Sequence, residues 1–249
     1  MPTARLYAIL DLGYVPEARA EEVTTSLLSG GAHLLQLRAK GHDLATIQRV
    51  AEKLLPLCRA AGVPFILNDH PALAAQIGAD GVHIGQDDGS LAEAREKADR
   101  RLACHLHPPP DRGLQSGLHS FIHSSSPATS VPRSFLFGRS THSLDQARAA
   151  LAEGFDYIGF GPLFPTPTKA GRPAIGLHEI AAMEREVGSQ IPAFCIGGIT
   201  RQTLPQVLAA GARRVVIVSD LLKATNVQSA TRAAIAALNA ECGTRNPGN

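Results

Sequence analysis

The sequence predicts an α/β fold, a (β/α)8 TIM barrel, on three observations. Eight short β-rich runs alternate with longer segments of helical period. Several of these runs are apolar on both faces, as a parallel sheet wrapped by helices requires. The length, 249 residues, is what eight β–α units occupy. A doubly wound open sheet is the nearest competitor, but it usually has fewer strands and carries a nucleotide fingerprint in its first turn. Here the first turn reads Asp11-Leu12-Gly13-Tyr14, with no G-x-G-x-x-G. The expectation is a single barrel domain over 1–249.

The strands are expected at 6–11 (LYAILD), 33–38 (HLLQLR), 64–69 (PFILND), 81–85 (GVHIG), 134–140 (SFLFGRS), 157–162 (YIGFGP), 192–198 (PAFCIGG) and 214–219 (RVVIVS). Between the second and third, Leu44, Ile47, Ala51, Leu54, Cys58 and Ala61 fall on one helical stripe. Ser143 followed by Gln146 has the pattern of a capping box. Gly62, Gly78, Gly154 and Gly211 each follow a helical stretch, where a C-terminal cap belongs. Residues 103–134 break the alternation. They are rich in Pro, Ser, Gly and His, and read as a loop-like insertion between the fourth helix and the fifth strand. In a barrel that connection emerges on the face opposite the catalytic one. His105, His107, His119 and His123 raise a metal site there, although a solvated insertion accounts for the same composition.

Composition removes whole classes of function. Hydrophobic residues at 44% and charged residues at 18% exclude a disordered chain. A formal charge of +2, only 4% aromatics and no Trp argue against nucleic acid or a membrane as partner. Cys58, Cys104, Cys195 and Cys242 lie far apart without a C-x-x-C pair, which suits reduced, packed thiols. The N-terminus lacks the features of a secretory signal, and no apolar run reaches membrane-spanning length. A soluble cytoplasmic protein is therefore expected, with room for a homo-oligomer.

In such a barrel the reactive groups stand where strands end. Gln36, Arg38 and Lys40 share one face if the second strand keeps its alternation, and the two cations suit a phosphorylated ligand as well as they suit a surface salt bridge. The third strand ends in Asn68-Asp69, and Gln86-Asp87-Asp88 follow the fourth. Asp69 with Asp87 or Asp88 has the form of a Mg2+ site, in which one or two carboxylates are joined by water and phosphate oxygens. Helix capping by Asp is the competing account. Ser140-Thr141-His142 end the fifth strand, and the loop after the sixth carries Thr166, Thr168 and Lys169 among prolines that restrict its backbone. Gly197-Gly198 and Val218-Ser219 end the last two strands, where these barrels often bind phosphate on backbone N–H groups. A cationic strand end, a carboxylate pair and a phosphate nest together suit two phosphorylated substrates and Mg2+.

QLRAKG, ILND, GVHIGQDD, STHS, GFGPLFPTPTKAGRPAIGL, IGGIT and VVIVS resemble, in order, the motifs of the thiamine-phosphate synthase family, across most of the chain outside the insertion. The resemblance implies a transferase. It joins hydroxymethylpyrimidine diphosphate to a thiazole phosphate, or its carboxylated form, by Mg2+-assisted dissociative substitution, and releases diphosphate. Carried over by motif, Gln36, Arg38, Lys40, Asn68, Ser140 and Lys169 bind the pyrimidine diphosphate, with Arg38, Lys40, Ser140 and Lys169 acting on the departing group. Asp69 and Asp88 hold Mg2+. Thr166, Thr168, Gly198, Val218 and Ser219 contact the thiazole phosphate. Three positions depart from the family pattern: Asp87 where Glu is usual, His70 where Arg is common, and Arg139 where a small apolar residue is usual. An inward Arg139 would meet phosphate; an outward one would pack. His83 and His142 read as packing or structural hydrogen-bonding groups. A related isomerase, thiazole tautomerase, is the alternative that His142 keeps open, and a non-catalytic phosphate binder is the other.

Overall fold

The computed structural model describes residues 3–106, 135–166 and 173–244. Among these, eight parallel strands pair in sequence order, and the eighth closes on the first. They are β1 (Leu6–Asp11), β2 (Leu34–Arg38), β3 (Phe65–Asn68), β4 (Gly81–Ile84), β5 (Leu136–Thr141), β6 (Tyr157–Phe160), β7 (Ala193–Cys195) and β8 (Val215–Ile217). Each lies within the segment expected from the sequence except at β5, which runs one residue further, to Thr141.

Parity along each strand divides the core in two. Tyr7, Ile9, Leu34, Ile66, Tyr157, Phe194 and Val216 pack together inside the barrel. Leu6, Ala8, Leu10, Leu35, Leu37 and their counterparts pack outward against the helices. This double burial is why the strands read as nearly unbroken apolar runs. The rings of Tyr7, Tyr157 and Phe194 meet edge to face, with centroids 5.3 to 6.0 Å apart, and fill the barrel floor. Gly138 on β5 makes room for them. A Cβ there would stand 2.1 Å from Tyr157 Cζ, so only glycine fits beside that ring.

The helices α1 (Ala20–Ser29), α2 (Leu44–Ala60), α3 (Pro71–Ile77), α4 (Leu91–Leu106), α5 (Leu144–Glu153), α6 (Ile180–Met183), α7 (Leu204–Ala209), α8 (Ser219–Leu222) and α9 (Val227–Thr244) accompany the strands. In α2 the Asp43 side chain caps the start by accepting from Thr46 N at 2.7 Å. Ile47, Ala51, Leu54 and Cys58 are buried as the stripe predicts. Leu44 and Ala61 are not: Leu44 is 57% exposed and Ala61 is also exposed. They flank the turns that face the sheet, one in the capping turn and one beyond the last turn. Ser143 caps α5 as expected, accepting from Gln146 N at 3.2 Å. Gln146 Oε1 returns to His142 N, one residue before the cap, at 2.8 Å. Gly78 and Gly154 end α3 and α5 in the left-handed conformation.

The insertion begins later than expected. Residues 103–106 belong to α4, because nothing in them breaks a helix before His107, which precedes Pro108. Residues 107–134 lie outside the described residues, and His107, His119 and His123 with them. Cys58 and Cys195 are buried free thiols, and burial pushes the Cys58 thiol up to about 12.

Gly138→Ala is expected to lower stability by about 1–3 kcal/mol, the usual range for overpacking a core, because the aromatic trio leaves Tyr157 nowhere to move. Urea denaturation measures it.

Candidate active site

The cavity at the C-terminal ends of the strands is lined from every side of the barrel. Its wall includes Gln36 and Arg38 from β2, Asn68 from β3, His83 from β4 and Ser140 from β5. Across from them stand Thr166, Gly198, Val218 and Ser219. Eight of the predicted site residues therefore share one cavity, with His83 beside them. Lys40 and Asp69 line an adjoining depression with His42, His70 and Asn68, so Asn68 borders both. Thr168 and Lys169 lie outside the described residues.

A chain of hydrogen bonds forms the cavity floor. The Tyr7 hydroxyl donates to Gln36 Oε1 at 2.6 Å and lies 3.2 Å from the Tyr157 hydroxyl. Gln36 Nε2 in turn donates to Asn68 Oδ1 at 3.1 Å. Burial, reinforced by Tyr157, holds the Tyr7 pKa well above the ordinary tyrosine value, and burial likewise raises Tyr157. Along this chain Gln36 turns its oxygen to Tyr7 and its amide nitrogen to Asn68.

Arg38 Nη1 meets Asp11 Oδ2 at 2.5 Å, and Asp11 Oδ1 accepts from Gly13 N at 2.9 Å. Asp11 is 2% exposed, which makes this a held guanidinium rather than a surface ion pair. Sequence reasoning did not select Asp11, although it ends β1 where the strand-end rule looks for function. Tyr7 was also missed, since an interior aromatic in mid-strand reads only as core. His83 is 8% exposed and places Nε2 3.0 Å from Ser140 Oγ, a structural hydrogen bond as expected.

Beyond β2 the alternation ends and Lys40 turns toward β3, where its Nζ lies 3.4 Å from Asp69 Oδ2. Asp69 adopts a φ of 67°, unusual for a residue with a side chain. Its carboxyl lies beside that of Asp88, close enough for the two charges to act on each other. Burial first and the Asp88 charge second raise the Asp69 pKa, while Lys40 opposes them. Asp88 Oδ2 also accepts from Gly85 N at 2.7 Å.

The opposite rim is built on the Gly197-Gly198 turn. Gly198 has φ 66°, and a Cβ there would meet Phe164 Cβ at 2.7 Å, so glycine permits the turn to nest on the β6 loop. Arg201 Nε donates to Asp220 Oδ2 at 2.8 Å and ties the loops after β7 and β8 together. Arg139 points away from the cavity: it is 9% exposed, donates to the carbonyls of Gly89 and Gln86 at 2.6 and 3.3 Å, and lies over the Phe155 ring. The outward alternative is the one observed. His142 is not among the described residues lining the cavity, and its Nδ1 contacts the Gly161 carbonyl.

Comparison with known proteins identifies the family of the chain. The model of the thiamine monophosphate synthase family matches residues 6–104 and 125–221. The chain belongs to the thiamine-phosphate synthase family. Members of this family are transferases, and the stretch that the match omits falls within 103–134. The thiamine-phosphate synthase of Thermus thermophilus is 39% identical over 231 residues, 92% of this chain and 94% of that protein. That of Shouchella clausii is 33% identical over 240 residues, 96% of this chain and 98% of that protein. The solved thiamine phosphate pyrophosphorylase of Pyrococcus furiosus superposes with a TM-score of 0.74 at 26% identity, covering 96% of each chain. No helix among the described residues of this family member is long and apolar enough to cross a membrane.

Because its folded pKa is raised, Asp69 carries an electrostatic cost above that pKa, and the cost is relieved as pH falls through it toward the ordinary Asp value. Asp88→Asn is expected to lower the Asp69 pKa and to flatten this gain in stability on acidification. Carbon-detected NMR titration in chelator, paired with urea denaturation across the same pH range, checks both.

Proposed function

We propose that this thiamine-phosphate synthase couples hydroxymethylpyrimidine diphosphate to a thiazole phosphate at this cavity, by dissociative substitution. The carrying observation is the convergence of Gln36, Arg38, Asn68 and Ser140 on one wall, facing Gly198, Val218 and Ser219 on the other. The pyrimidine diphosphate fits the first wall, where Gln36 and Asn68 offer oriented amide groups and Arg38 a fixed charge. The thiazole phosphate fits the second, whose loops after β7 and β8 are the usual phosphate site of this architecture. Thr166 and Thr168 belong with the thiazole phosphate in this reading.

The donor set beside the cavity suits Mg2+. Asp69 and Asp88 set two carboxyl groups side by side, with Lys40 next to Asp69. That matches a hard cation that takes two carboxylates and completes its shell with water and diphosphate oxygens. When bound, such an ion supplies charge stabilisation to the diphosphate. Arg38 and Lys40, with Lys169, add positive charge on the same side, and Ser140 adds a hydroxyl donor.

In the reaction the bond from the pyrimidine methylene carbon to the diphosphate oxygen breaks, and its electron pair leaves with the diphosphate. The thiazole nitrogen lone pair then forms the new C–N bond. No proton moves at the reacting carbon, so the chain needs no general base there. Its residues hold the two substrates in line, and that positioning lowers the barrier. The isomerase alternative needs an acid or base at the thiazole, and His142, the group that favoured it, is not among the described residues lining the cavity.

Diphosphate release is expected only when both substrates and Mg2+ are present, measured by coupled phosphate detection. Conversion of the thiazole phosphate alone would favour the isomerase, and binding of both ligands without turnover would favour a non-catalytic binder. Asp69→Asn and Asp88→Asn should each lower kcat by about 100-fold or more, the scale of losing a charge-stabilising group. Near-normal rates in both folded variants would remove the metal assignment.

A further inference from the structure

Arg139 is a buried arginine within the barrel wall, on β5. The residue is 9% exposed, and among the described residues no carboxylate pairs with it. Its donors go instead to the carbonyls of Gln86 and Gly89, which bracket Asp87 and Asp88. Its face lies 5.4 Å from the Phe155 ring centroid, which holds the side chain upright between β5 and the helix layer. The same loop is fastened a second time, by Gln86 Nε2 donating to Ser140 O at 2.5 Å. Adjacent residues of β5 therefore face opposite ways: Ser140 lines the cavity, while Arg139 grips the back of the loop that presents Asp88.

We propose that Arg139 is a positioning residue that latches loop 85–89 and thereby sets the affinity of the Asp69–Asp88 pair for a divalent cation. This rests on the reading of that pair as the cation site. An apolar residue in its place would leave the carbonyls of Gln86 and Gly89 without these donors and the loop free to shift. Ordering the loop would then fall to the cation, at the expense of its affinity. Electrostatics alone predicts the reverse. Removing a buried positive charge near the site would tighten cation binding, so the sign of the change separates a latch from a through-space charge.

The test uses the full chain as wild type, Arg139→Met, Arg139→Lys and Asp88→Asn. Arg139→Met keeps the unbranched apolar stem against Phe155 without the donors; Arg139→Lys keeps the charge and a donor. Initial rates are titrated with Mg2+ at saturating substrates, and hydrogen exchange of loop 85–89 is followed in chelator. Arg139→Met should raise the half-saturating Mg2+ concentration by about tenfold, the low end for losing a group that orients metal ligands. The rate at saturating Mg2+ should stay within about twofold, and the loop amides should exchange faster. Arg139→Lys should recover part of both effects, and it carries the test alone if Arg139→Met does not fold. An unchanged or lower half-saturating concentration, with unchanged exchange, overturns the latch. If Asp88→Asn shifts the Mg2+ dependence and the Arg139 variants do not, the latch alone fails. If Asp88→Asn does not shift it, the cation site itself fails.

Discussion

Side chains alternate across a strand, and in a closed barrel both directions lead into packed interior, so every residue of a strand is committed to one of two environments. That constraint governs this molecule from floor to rim. On β1 it sends Tyr7 and Ile9 into the lumen and Leu6, Ala8 and Leu10 toward the helices. On β2 it carries Leu34 to the floor, Gln36 to the cavity wall and Arg38 to the rim. Polarity therefore rises along the barrel axis on the same parity that buries the core. On β5 one step in register decides that Ser140 faces the ligand cavity and Arg139 faces the helix layer.

The site depends on this packed floor. The edge-to-face contacts of Tyr7, Tyr157 and Phe194 hold the Tyr7 hydroxyl where it meets Gln36. A neutral hydroxyl at the start of the chain gives Gln36 and Asn68 definite orientations without introducing charge. Charge enters only at the rim, and there it is paired: Arg38 with Asp11, Lys40 with Asp69, Arg201 with Asp220. Asp69 meets a second carboxyl besides its lysine partner, that of Asp88. Two groups of like charge are held together at partial burial, an arrangement that favours a shared proton or a cation.

Much of this was legible in the sequence. The eight apolar runs marked the strands because double burial leaves no polar face to blur them. The strand-end rule found Gln36, Arg38, Asn68, Asp69, Ser140, Gly198 and Ser219 because parallel barrel strands all deliver their C-termini to one rim. Asp11 is less legible, because a single acidic residue at the end of a strand shows its role only once Arg38 of the neighbouring strand is placed beside it. The direction of Arg139 was not legible, since its strand is bounded by the long segment 103–134 and its parity needs a fixed register. Leu44 misled because apolar periodicity carries on through a capping turn, where the helix has not yet reached the sheet. The end of α4 was misplaced because composition changes before helicity does.

The two buried thiols of the described residues have a practical consequence. Cys58 lies inside the helix layer and Cys195 on a strand, and burial raises both pKa values. A thiol held in that state is a poor nucleophile toward alkylating reagents. Labelling at these two positions must wait for the wall to part, so its rate is a clock for opening of the barrel rather than a gauge of what occupies the cavity.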